Sequence, residues 1–340
     1  MSTEHEDVRD LLAAWAFGAL PAAERRTVPA HLADCESCAA EAERLRETVR
    51  ILDGPPGAAN GSQEPGGALA LALRTRPAAP RVAPHAAPYA AAVAGLQSLL
   101  RELDGLGAWS TPVVHDWDVH STVAHLIAAD EPLATRLGLD AHVPTSEPVP
   151  EGTRWEDVWA ARTADVIAYE QGRTPEETVA AWSARAGALL ATPEARDSEL
   201  ASLATTLMGV RLPVADHFVV RAFEAWIHTD DIGRALGFPV PPPPDPHLWQ
   251  LVRLAVRILG MALGSEAPPV LFAVTGAGTD AQWVLGSEDE PVRAELVLDA
   301  VDFCLLVGGR YTPEDVPRGA VGDDAAVANV LTRAASVAWL

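Results

Sequence analysis

The chain has 340 residues and carries 47 acidic residues against 25 basic ones, which gives a formal net charge of −22. Such an acidic surface repels phosphate backbones and anionic lipids, and no stretch of about 18 apolar residues occurs, so we expect neither direct nucleic-acid binding nor a membrane association. Three cysteines are too few for a disulfide framework and favour a reducing, cytoplasmic location.

Three helices are predicted near the amino terminus. Apolar residues at helical spacing mark the first at 6–20, Pro21 opens a short second helix, and a third runs over about 31–52. Residues 54–85 are rich in Gly, Pro and Ala and predict a flexible linker, so residues 1–53 are expected to form a separate small domain. A domain of about 50 residues is near the lower limit for a self-supporting core, and a bound metal would stabilise it.

A candidate zinc site lies on the third predicted helix. His31, Cys35 and Cys38 stand at i, i+4 and i+7, so their side chains project within one narrow arc of that helix. Thiolate and imidazole ligands at this spacing suit tetrahedral Zn²⁺, and His5 on the first helix is the candidate fourth ligand of a closed, structural site. The alternative is that the cysteines are ordinary helix residues, His31 is solvated and His5 belongs to a frayed terminus.

The remainder of the chain predicts a mainly α protein. A helical bundle is expected over 86–240, a Pro-rich break follows Gly237, and a small α+β domain is expected over 246–340 with three strands at 269–276, 281–287 and 292–299. The predicted helices span 86–104, 117–137, 154–171, 175–191, 216–236, 246–263, 299–308 and 322–336.

A second candidate metal site combines residues from two helices of the predicted bundle. Glu224 and His228 stand at i and i+4 on one helix, and His125 lies on another. Two imidazoles and one carboxylate bind Zn²⁺ or a similar divalent ion and leave coordination positions open. Spacing alone is a weak signal, because a Glu and a His four residues apart are common on solvated helix faces and a lone histidine is usually a packed, partly buried residue. Asp231 is either an acceptor that orients the imidazole of His228 or a solvated residue near a helix end.

The amino-terminal sequence HEDVRDLLAAWAFGALPAAERRTVPAHLADCESCAAEAERL resembles the zinc-binding anti-sigma domain family. The resemblance implies a small helical bundle whose zinc ligands are His5, His31, Cys35 and Cys38. It implies a sigma factor of the extracytoplasmic-function type as the partner. Because Cys35 and Cys38 are close enough to form a disulfide and expel the metal, both a redox switch and a purely structural zinc site remain open.

The segments WDVHSTVAHLIAAD and RAFEAWIHTDDIGRALG resemble the signature segments of the mycothiol-dependent maleylpyruvate isomerase family. That resemblance implies a DinB-like four-helix bundle followed by a small α+β domain similar to sterol-carrier proteins. It implies His125, Glu224 and His228 as ligands of a divalent metal that holds the small thiol mycothiol, and Arg310 as a functional residue that binds a substrate carboxylate. Trp117 and Trp226 are expected to wall the metal pocket.

The two resemblances together predict a cytoplasmic, zinc-dependent anti-sigma regulator. Its first 53 residues would bind the sigma factor, and its larger part would sense a thiol, an electrophile or a metal. The alternative is a mycothiol-dependent thiol transferase or isomerase whose accessory zinc domain docks it to a partner. A bundle that has lost catalysis and serves as a scaffold is a third interpretation.

Overall fold

The computed structural model describes residues 3–17, 19–20, 24, 27–52, 81–103, 106–144, 152–276, 278 and 280–337. The chain forms two compact units, Met1–Ala78 and Ala79–Leu340. The short helix predicted at Pro21 and residues 54–80 of the predicted linker lie outside the described residues. The prediction of a flexible linker is wrong for residues 81–85, which belong to the second unit: the backbone N–H of Ala83 donates to the carbonyl oxygen of Ala195 at 2.9 Å.

The first unit contains three helices that pack on one another. They are α1 (Thr3–Ala16), α2 (Thr27–Asp34) and α3 (Glu36–Leu52). Six buried side chains form its small core: Val8, Leu12, Leu20, Val28, Cys38 and Ala42. At the surface, Arg9 pairs with Glu41 at 3.0 Å, and the guanidinium of Arg46 lies 3.7 Å from the ring centre of Trp15, so two cation contacts join α1 to α3.

The prediction of one continuous helix over 31–52 is wrong at its beginning. His31 lies in α2, and α3 starts only after Cys35, whose carbonyl accepts a hydrogen bond from the backbone N–H of Ala39 at 3.0 Å. The apolar period continues across Cys35, so the sequence pattern did not reveal the break. Pro29 is tolerated in the first turn of α2 because the N–H that proline lacks would be unpaired there.

Four helices of the second unit form a bundle. They are α4 (Ala87–Arg101), α6 (Val119–Arg136), α8 (Pro175–Ala191) and α10 (Val214–Leu236), and α7 (Trp155–Glu170) packs against α6. These helices and α11 (Asp245–Leu263) confirm the predicted ones, with ends shifted by no more than three residues. The sequence did not predict the shorter elements α5 (Leu106–Trp109), β1 (Pro112–Val114), β2 (Trp117–Asp118), α9 (Pro193–Arg196), the 3₁₀ turn Leu200–Ser202, β3 (Ala204–Leu207) and β4 (Val210–Pro213).

Local signals fix the ends of the two helices that carry the second candidate site. Helix α6 begins after Asp118, whose carboxylate accepts a hydrogen bond from the backbone N–H of Ser121 at 2.8 Å. Helix α10 ends at Gly237, which has a φ of 73° and therefore occupies the left-handed region that glycine enters without strain. The predicted break after this glycine is confirmed.

The carboxy-terminal part of the second unit is the predicted α+β module. Its sheet has the order β6-β5-β7-β8, with β5 and β7 parallel and the outer pairs antiparallel. The elements are β5 (Val270–Thr275), β6 (Ala281–Leu285), β7 (Ala294–Asp299), α12 (Ala300–Val307), β8 (Gly319–Gly322) and α13 (Asp324–Ser336). Strand β8 was missed because its sequence, GAVG, is short, exposed and rich in glycine.

One continuous hydrophobic core links the bundle and the α+β module. It runs from Tyr89 and Trp182 in the bundle to Phe272 on β5 and Phe303 on α12. The predicted fold class, mainly α with a small α+β part, is confirmed. Among the helices that the structure describes, none has the length and apolar character needed to traverse a bilayer.

Candidate metal centres

The first candidate centre gathers four side chains of the amino-terminal unit. His5 comes from α1, His31 from α2, Cys38 from the first turn of α3, and Cys35 from the junction between α2 and α3. One potential ligand atom from each lies within 4.8 Å of the others. The thiol sulfurs of Cys35 and Cys38 are each 3.7 Å from Nδ1 of His5, and both cysteines are free thiols.

The two thiols of this centre have different environments. A hydrogen bond from the hydroxyl of Ser37, together with the backbone N–H of Cys38, lowers the pKa of Cys35 to about 6. Burial raises the pKa of Cys38, and the neighbouring Cys35 raises it further. Nε2 of His31 is buried and lacks a hydrogen-bond partner among the described residues. A four-ligand set of two thiols and two imidazoles fits a tetrahedral zinc ion, which would satisfy that nitrogen.

The second candidate centre lies where α6 and α10 pack together. Nε2 of His125 is 2.7 Å from Oε1 of Glu224, and Nε2 of His228 is 3.6 Å from the same oxygen. One potential ligand atom from each residue lies within 4.8 Å of the others. All three side chains are buried, with at most 3% of the surface of any residue exposed. We call His125, Glu224 and His228 the buried triad.

Two members of the buried triad, His125 and Glu224, have the charge states that a divalent cation requires. Burial lowers the pKa of His125 to about 4, so its imidazole is neutral. Burial alone would raise the pKa of Glu224, but its contacts with the two histidines and with Arg221 hold that pKa well below its usual range. Nδ1 of His125 and Nε2 of His228 are buried without hydrogen-bond partners among the described residues. A buried carboxylate between two imidazoles, one of which turns its unpartnered Nε2 towards that carboxylate, fits a divalent metal.

A second carboxylate orients His228 from the other side of its ring. Oδ2 of Asp231 lies 3.0 Å from Nδ1 of His228, which leaves Nε2 to face the triad. Arg310, in the turn after α12, donates through Nε to Oδ1 of Asp231 at 3.0 Å and through Nη2 to Oδ2. Hydrogen bonds to Asp231 and Glu224 outweigh burial and raise the pKa of His228. Of the two alternatives for Asp231, the ligand-orienting contact is the one observed.

The position of Arg310 differs from the predicted role as a substrate-binding residue. Its guanidinium is engaged by both carboxylate oxygens of Asp231 and by the carbonyl oxygen of Gly308. Glycine at position 308 lets the turn that carries Arg310 pack closely against α10, because a Cβ at that position would lie 2.8 Å from Cδ1 of Ile227. Arg310 is therefore placed to hold Asp231 and, through it, His228.

Further buried polar residues lie close to Glu224 on the side of Arg221. Nη2 of Arg221 lies 3.8 Å from Oε2 of Glu224, one helical turn away on α10. The hydroxyl of Tyr89 donates to Asp130 at 2.6 Å, and burial raises the pKa of Asp130 to about 6. These supporting residues were not predicted, although the i and i+3 spacing of Arg221 and Glu224 is visible in the sequence.

A cavity of about 510 Å³ opens beside the triad. Trp117 lies at its wall, with its ring centre 4.6 Å from that of His125. The cavity is also lined by Trp155, Trp159 and His115, which were not predicted as site residues. A signal for Trp155 and Trp159 existed in their i and i+4 spacing, which places both indoles on one face of α7.

The prediction that Trp226 walls this pocket is wrong. Trp226 lines a different cavity, between α4, α10 and the proline-rich segment at 238–244. The reason is helical geometry: Trp226 is two residues from both Glu224 and His228, so it projects from about the opposite face of α10.

The chemistry available at the two centres differs. The first offers four protein ligands and therefore closes the coordination sphere of a zinc ion, as structural sites do. The second offers three ligands, one of which, His125, lines the cavity, so an ion held there would keep a coordination position for a ligand from solution. A thiol that binds a metal at such an open position is deprotonated.

Two known families match parts of the chain. The family described as “Putative zinc-finger” matches residues 6–39, and the family described as “Mycothiol maleylpyruvate isomerase N-terminal domain” matches residues 89–233. The first range contains three of the four candidate ligands and begins one residue after His5. A search of curated proteins finds no match.

Similar solved structures include the crystal structure of the mycothiol-dependent maleylpyruvate isomerase. It has 13% sequence identity and a TM-score of 0.47, and the similarity covers 70% of this chain and 92% of that one. A histidine-to-alanine variant of that enzyme has 12% identity and a TM-score of 0.46, with 69% and 91% covered. From the two family matches, we conclude that the chain carries a segment of the zinc-finger family within residues 6–39 and a mycothiol maleylpyruvate isomerase N-terminal domain within residues 89–233, as both sequence resemblances predicted.

Proposed function

We propose that this protein is a zinc-dependent anti-sigma regulator whose larger unit holds a small thiol, mycothiol, at a metal centre. The observation that carries the proposal is the pair of dissimilar centres in one chain. His5, His31, Cys35 and Cys38 form a four-ligand set, and the buried triad forms a three-ligand set beside a cavity. The first suits a structural zinc ion and the second suits a metal that accepts an incoming ligand.

The amino-terminal unit would act as the sigma-binding module. The core that its described residues form is small, so a zinc ion that ties α1, α2 and α3 together would determine whether the binding surface exists. The match of residues 6–39 to a zinc-finger family supports this role. The partner would be a sigma factor of the extracytoplasmic-function type, as the resemblance to the anti-sigma domain family implies.

The buried triad would hold a divalent metal in the larger unit. His125, Glu224 and His228 supply the ligands, and Asp231 fixes the ring orientation of His228 by accepting its Nδ1–H. When bound, the metal would supply acidity that keeps a coordinated thiol ionised near neutral pH. The ring centres of Trp117 and Trp159 lie 4.6 Å and 5.8 Å from that of His125, so both indoles pack beside this ligand.

Metal analysis of the full-length protein tests the two centres. We expect two metal ions per chain in the wild type and one in His125→Ala, with the zinc of the first centre retained. His31→Ala should lose the other ion. His120→Ala serves as the control, because His120 contacts Thr178 and belongs to neither centre. A wild-type protein that binds only one ion would contradict the proposal for the larger unit.

Run-off transcription tests the sigma-binding role. The full-length protein should inhibit transcription by one of the extracytoplasmic-function sigma factors of the same organism, and His31→Ala should abolish the inhibition. His125→Ala should inhibit as well as the wild type when no thiol or electrophile is present. Failure of the wild type to inhibit any of these sigma factors would contradict the regulatory role.

A second candidate function is a mycothiol-dependent transferase or isomerase with an accessory zinc domain. The cavity of about 510 Å³ beside the triad favours it, since that volume accommodates a small substrate. Turnover of an electrophile that requires mycothiol and disappears in His125→Ala would establish this activity. Both functions can reside in the same chain, because they depend on different centres.

A further inference from the structure

We propose that the cavity lined by Trp226 binds an uncharged, largely apolar ring compound. It lies between α4, α10 and the proline-rich segment 238–244, and we call it the proline-walled cavity. Its volume is about 480 Å³, which is within the range of sites that bind small molecules. Neither the proposed regulation nor the alternative enzyme activity uses this cavity, so the inference goes beyond the proposed function.

One face of α10 forms the first wall of the proline-walled cavity. Ala222, Trp226 and Thr229 line it at spacings of four and three residues, which places them on the same side of the helix. The hydroxyl of Thr229 donates to the carbonyl oxygen of Ala225 at 2.6 Å, so its proton is already used within the helix. Trp226 projects away from the buried triad, and a ligand beside it would therefore not contact the candidate metal centre.

Helix α4 forms the second wall, and its side chains there are short. Ala92, Gly95 and Ser98 line the cavity at spacings of three residues. A Cβ at Gly95 would meet no atom within 4 Å. The described side chains therefore leave a space between α4 and the aromatic residues opposite, and a ligand can enter that space without moving either helix.

The proline-rich third wall is fixed at both of its ends. The backbone N–H of Phe238 donates to the carbonyl oxygen of Gly233 at 2.8 Å, and a Cβ at position 233 would lie 2.7 Å from the carbonyl oxygen of Phe238. At the other end, the carbonyl oxygen of Pro244 accepts a hydrogen bond from the backbone N–H of His247 at 2.8 Å, where α11 begins. Proline rings fix φ between these anchors, so this wall has little backbone freedom to lose when a ligand binds.

The surface of the cavity favours apolar rings. The indole of Trp226 and the ring of Phe238 supply aromatic surface on which a planar ligand can pack. Phe238 is 44% exposed although it lies at an apolar cavity. An occupant of the cavity would remove part of this surface from water, which is the favourable term in the binding of apolar compounds.

The charges at the cavity favour an uncharged ligand over an anionic one. No arginine or lysine is among the described residues that line it. Burial lowers the pKa of His247, so its imidazole is neutral at pH 7. Glu102, an exposed residue at the end of α4, is the acidic member of the lining. An anion would lose hydration on entering and would find no cationic partner among these residues.

Two fluorescent dyes with the same ring skeleton test the ligand class on the full-length protein. N-Phenyl-1-naphthylamine is neutral, and 1-anilinonaphthalene-8-sulfonate adds one negative charge to it. Both dyes become brighter in apolar surroundings, so titration gives their affinities, and the part of the binding that Ala92→Phe removes is assigned to the cavity. We expect the neutral dye to bind there at least fivefold more tightly than the sulfonate. No saturable binding of the neutral dye, or equal or tighter binding of the sulfonate in the cavity, would overturn the inference.

Four variants locate the dye. Ala92→Phe and Ser98→Phe each place a ring in the proline-walled cavity and should weaken binding of the neutral dye at least tenfold; Ser98 is exposed, so its substitution preserves the fold. Ala94→Phe is the matched control on α4, because Ala94 is exposed and outside the lining. Ala164→Phe narrows the other cavity, beside the triad, and should also leave the affinity unchanged. An affinity that falls in Ala164→Phe or Ala94→Phe as much as in Ala92→Phe would overturn the assignment to this cavity.

Glu102→Arg tests the origin of the preference. The substitution replaces the negative charge at the cavity by a positive one, so the sulfonate should gain at least fivefold in affinity while the neutral dye changes less than twofold. An unchanged preference would overturn the electrostatic basis of the ligand class. The neutral dye needs neither a metal nor a thiol, so these results stand apart from the metal analysis and the transcription assay that test the proposed function.

Discussion

Asp231 bridges His228 and Arg310 through a single carboxylate. Its Oδ2 lies 3.0 Å from Nδ1 of His228, and both its oxygens accept hydrogen bonds from the guanidinium of Arg310. The contacts from these two partners outweigh burial and lower the pKa of Asp231, so the carboxylate stays ionised. An arginine of the α+β module thereby fixes the orientation of a candidate metal ligand in the bundle.

Asp231→Asn should weaken metal binding at the triad. The variant loses the negative charge that holds the Nδ1–H of His228, and changes of this kind typically reduce metal affinity about 10- to 100-fold. Competition with a chromogenic chelator measures the affinity. Asp230→Asn is the matched control, because Asp230 pairs with Arg234 at 2.6 Å and does not contact the triad. Equal metal affinities of the two variants would contradict a role of Asp231 in orienting His228.

Gly308→Ala should destabilise the second unit and disturb the contacts that link Arg310 through Asp231 to His228. The added methyl group would lie 2.8 Å from Cδ1 of Ile227, so either the buried Ile227 side chain or the turn that carries Arg310 must shift. We expect a loss of roughly 1–3 kcal/mol in the free energy of unfolding, as for other overpacked sites. Denaturant unfolding measures it. Gly95→Ala on α4 meets no atom within 4 Å and should have the opposite sign, because alanine favours a helix.

Removal of zinc should unfold the first unit and spare the second. The described core of Val8, Leu12, Leu20, Val28, Cys38 and Ala42 is small, and one of its members is a candidate ligand. We therefore expect a chelator to increase amide hydrogen exchange in α1, α2 and α3 and to leave α4, α8 and α11 protected. Cys38→Ala should show the same exchange pattern without chelator. Persistent protection of α1 to α3 in the metal-free protein would contradict a structural role for zinc.

The sequence predicted the members of both centres better than their surroundings. Glu224 and His228 share a helix face by their spacing, and the segment around His125 was linked to them by family resemblance rather than by any local pattern. The residues that line the cavity were harder to predict, because Trp155 and Trp159 lie on α7 and come close to His125 only through helix packing. Their i and i+4 spacing indicates that both indoles share one face of α7, but it does not indicate which helix that face packs against.

Two predictions were wrong because position along a helical pattern did not determine position in space. The apolar pattern continues across Cys35, so it did not reveal that one residue leaves the helix and turns the ligands onto two elements. Trp226 is close to Glu224 in sequence, but a separation of two residues on a helix places side chains on nearly opposite faces. Proximity along the chain was mistaken there for proximity in space.

The stability of the second unit should fall as the pH rises from about 4 to about 6, through Asp130. Burial raises the pKa of this carboxyl from 3.8 to about 6, despite the hydrogen bond from Tyr89 and the nearby Arg221. The folded state then binds its proton more tightly than the unfolded state does, so the stabilisation is complete below the unfolded pKa and is lost as the pH rises through the folded one. The pKa difference between the unfolded and folded states corresponds to roughly 3 kcal/mol in the free energy of unfolding.

Asp130→Asn isolates this contribution from other titrating groups. The amide keeps an oxygen that accepts the hydrogen bond from Tyr89 but has no charge to bury. The stability of the variant relative to the wild type should therefore be greater at pH 7 than at pH 4.5. Thermal unfolding of both proteins at both pH values measures this change. Asp140→Asn, an exposed substitution, should leave the difference near zero. A variant whose stability relative to the wild type does not change between the two pH values would show that Asp130 ionises normally in the folded protein.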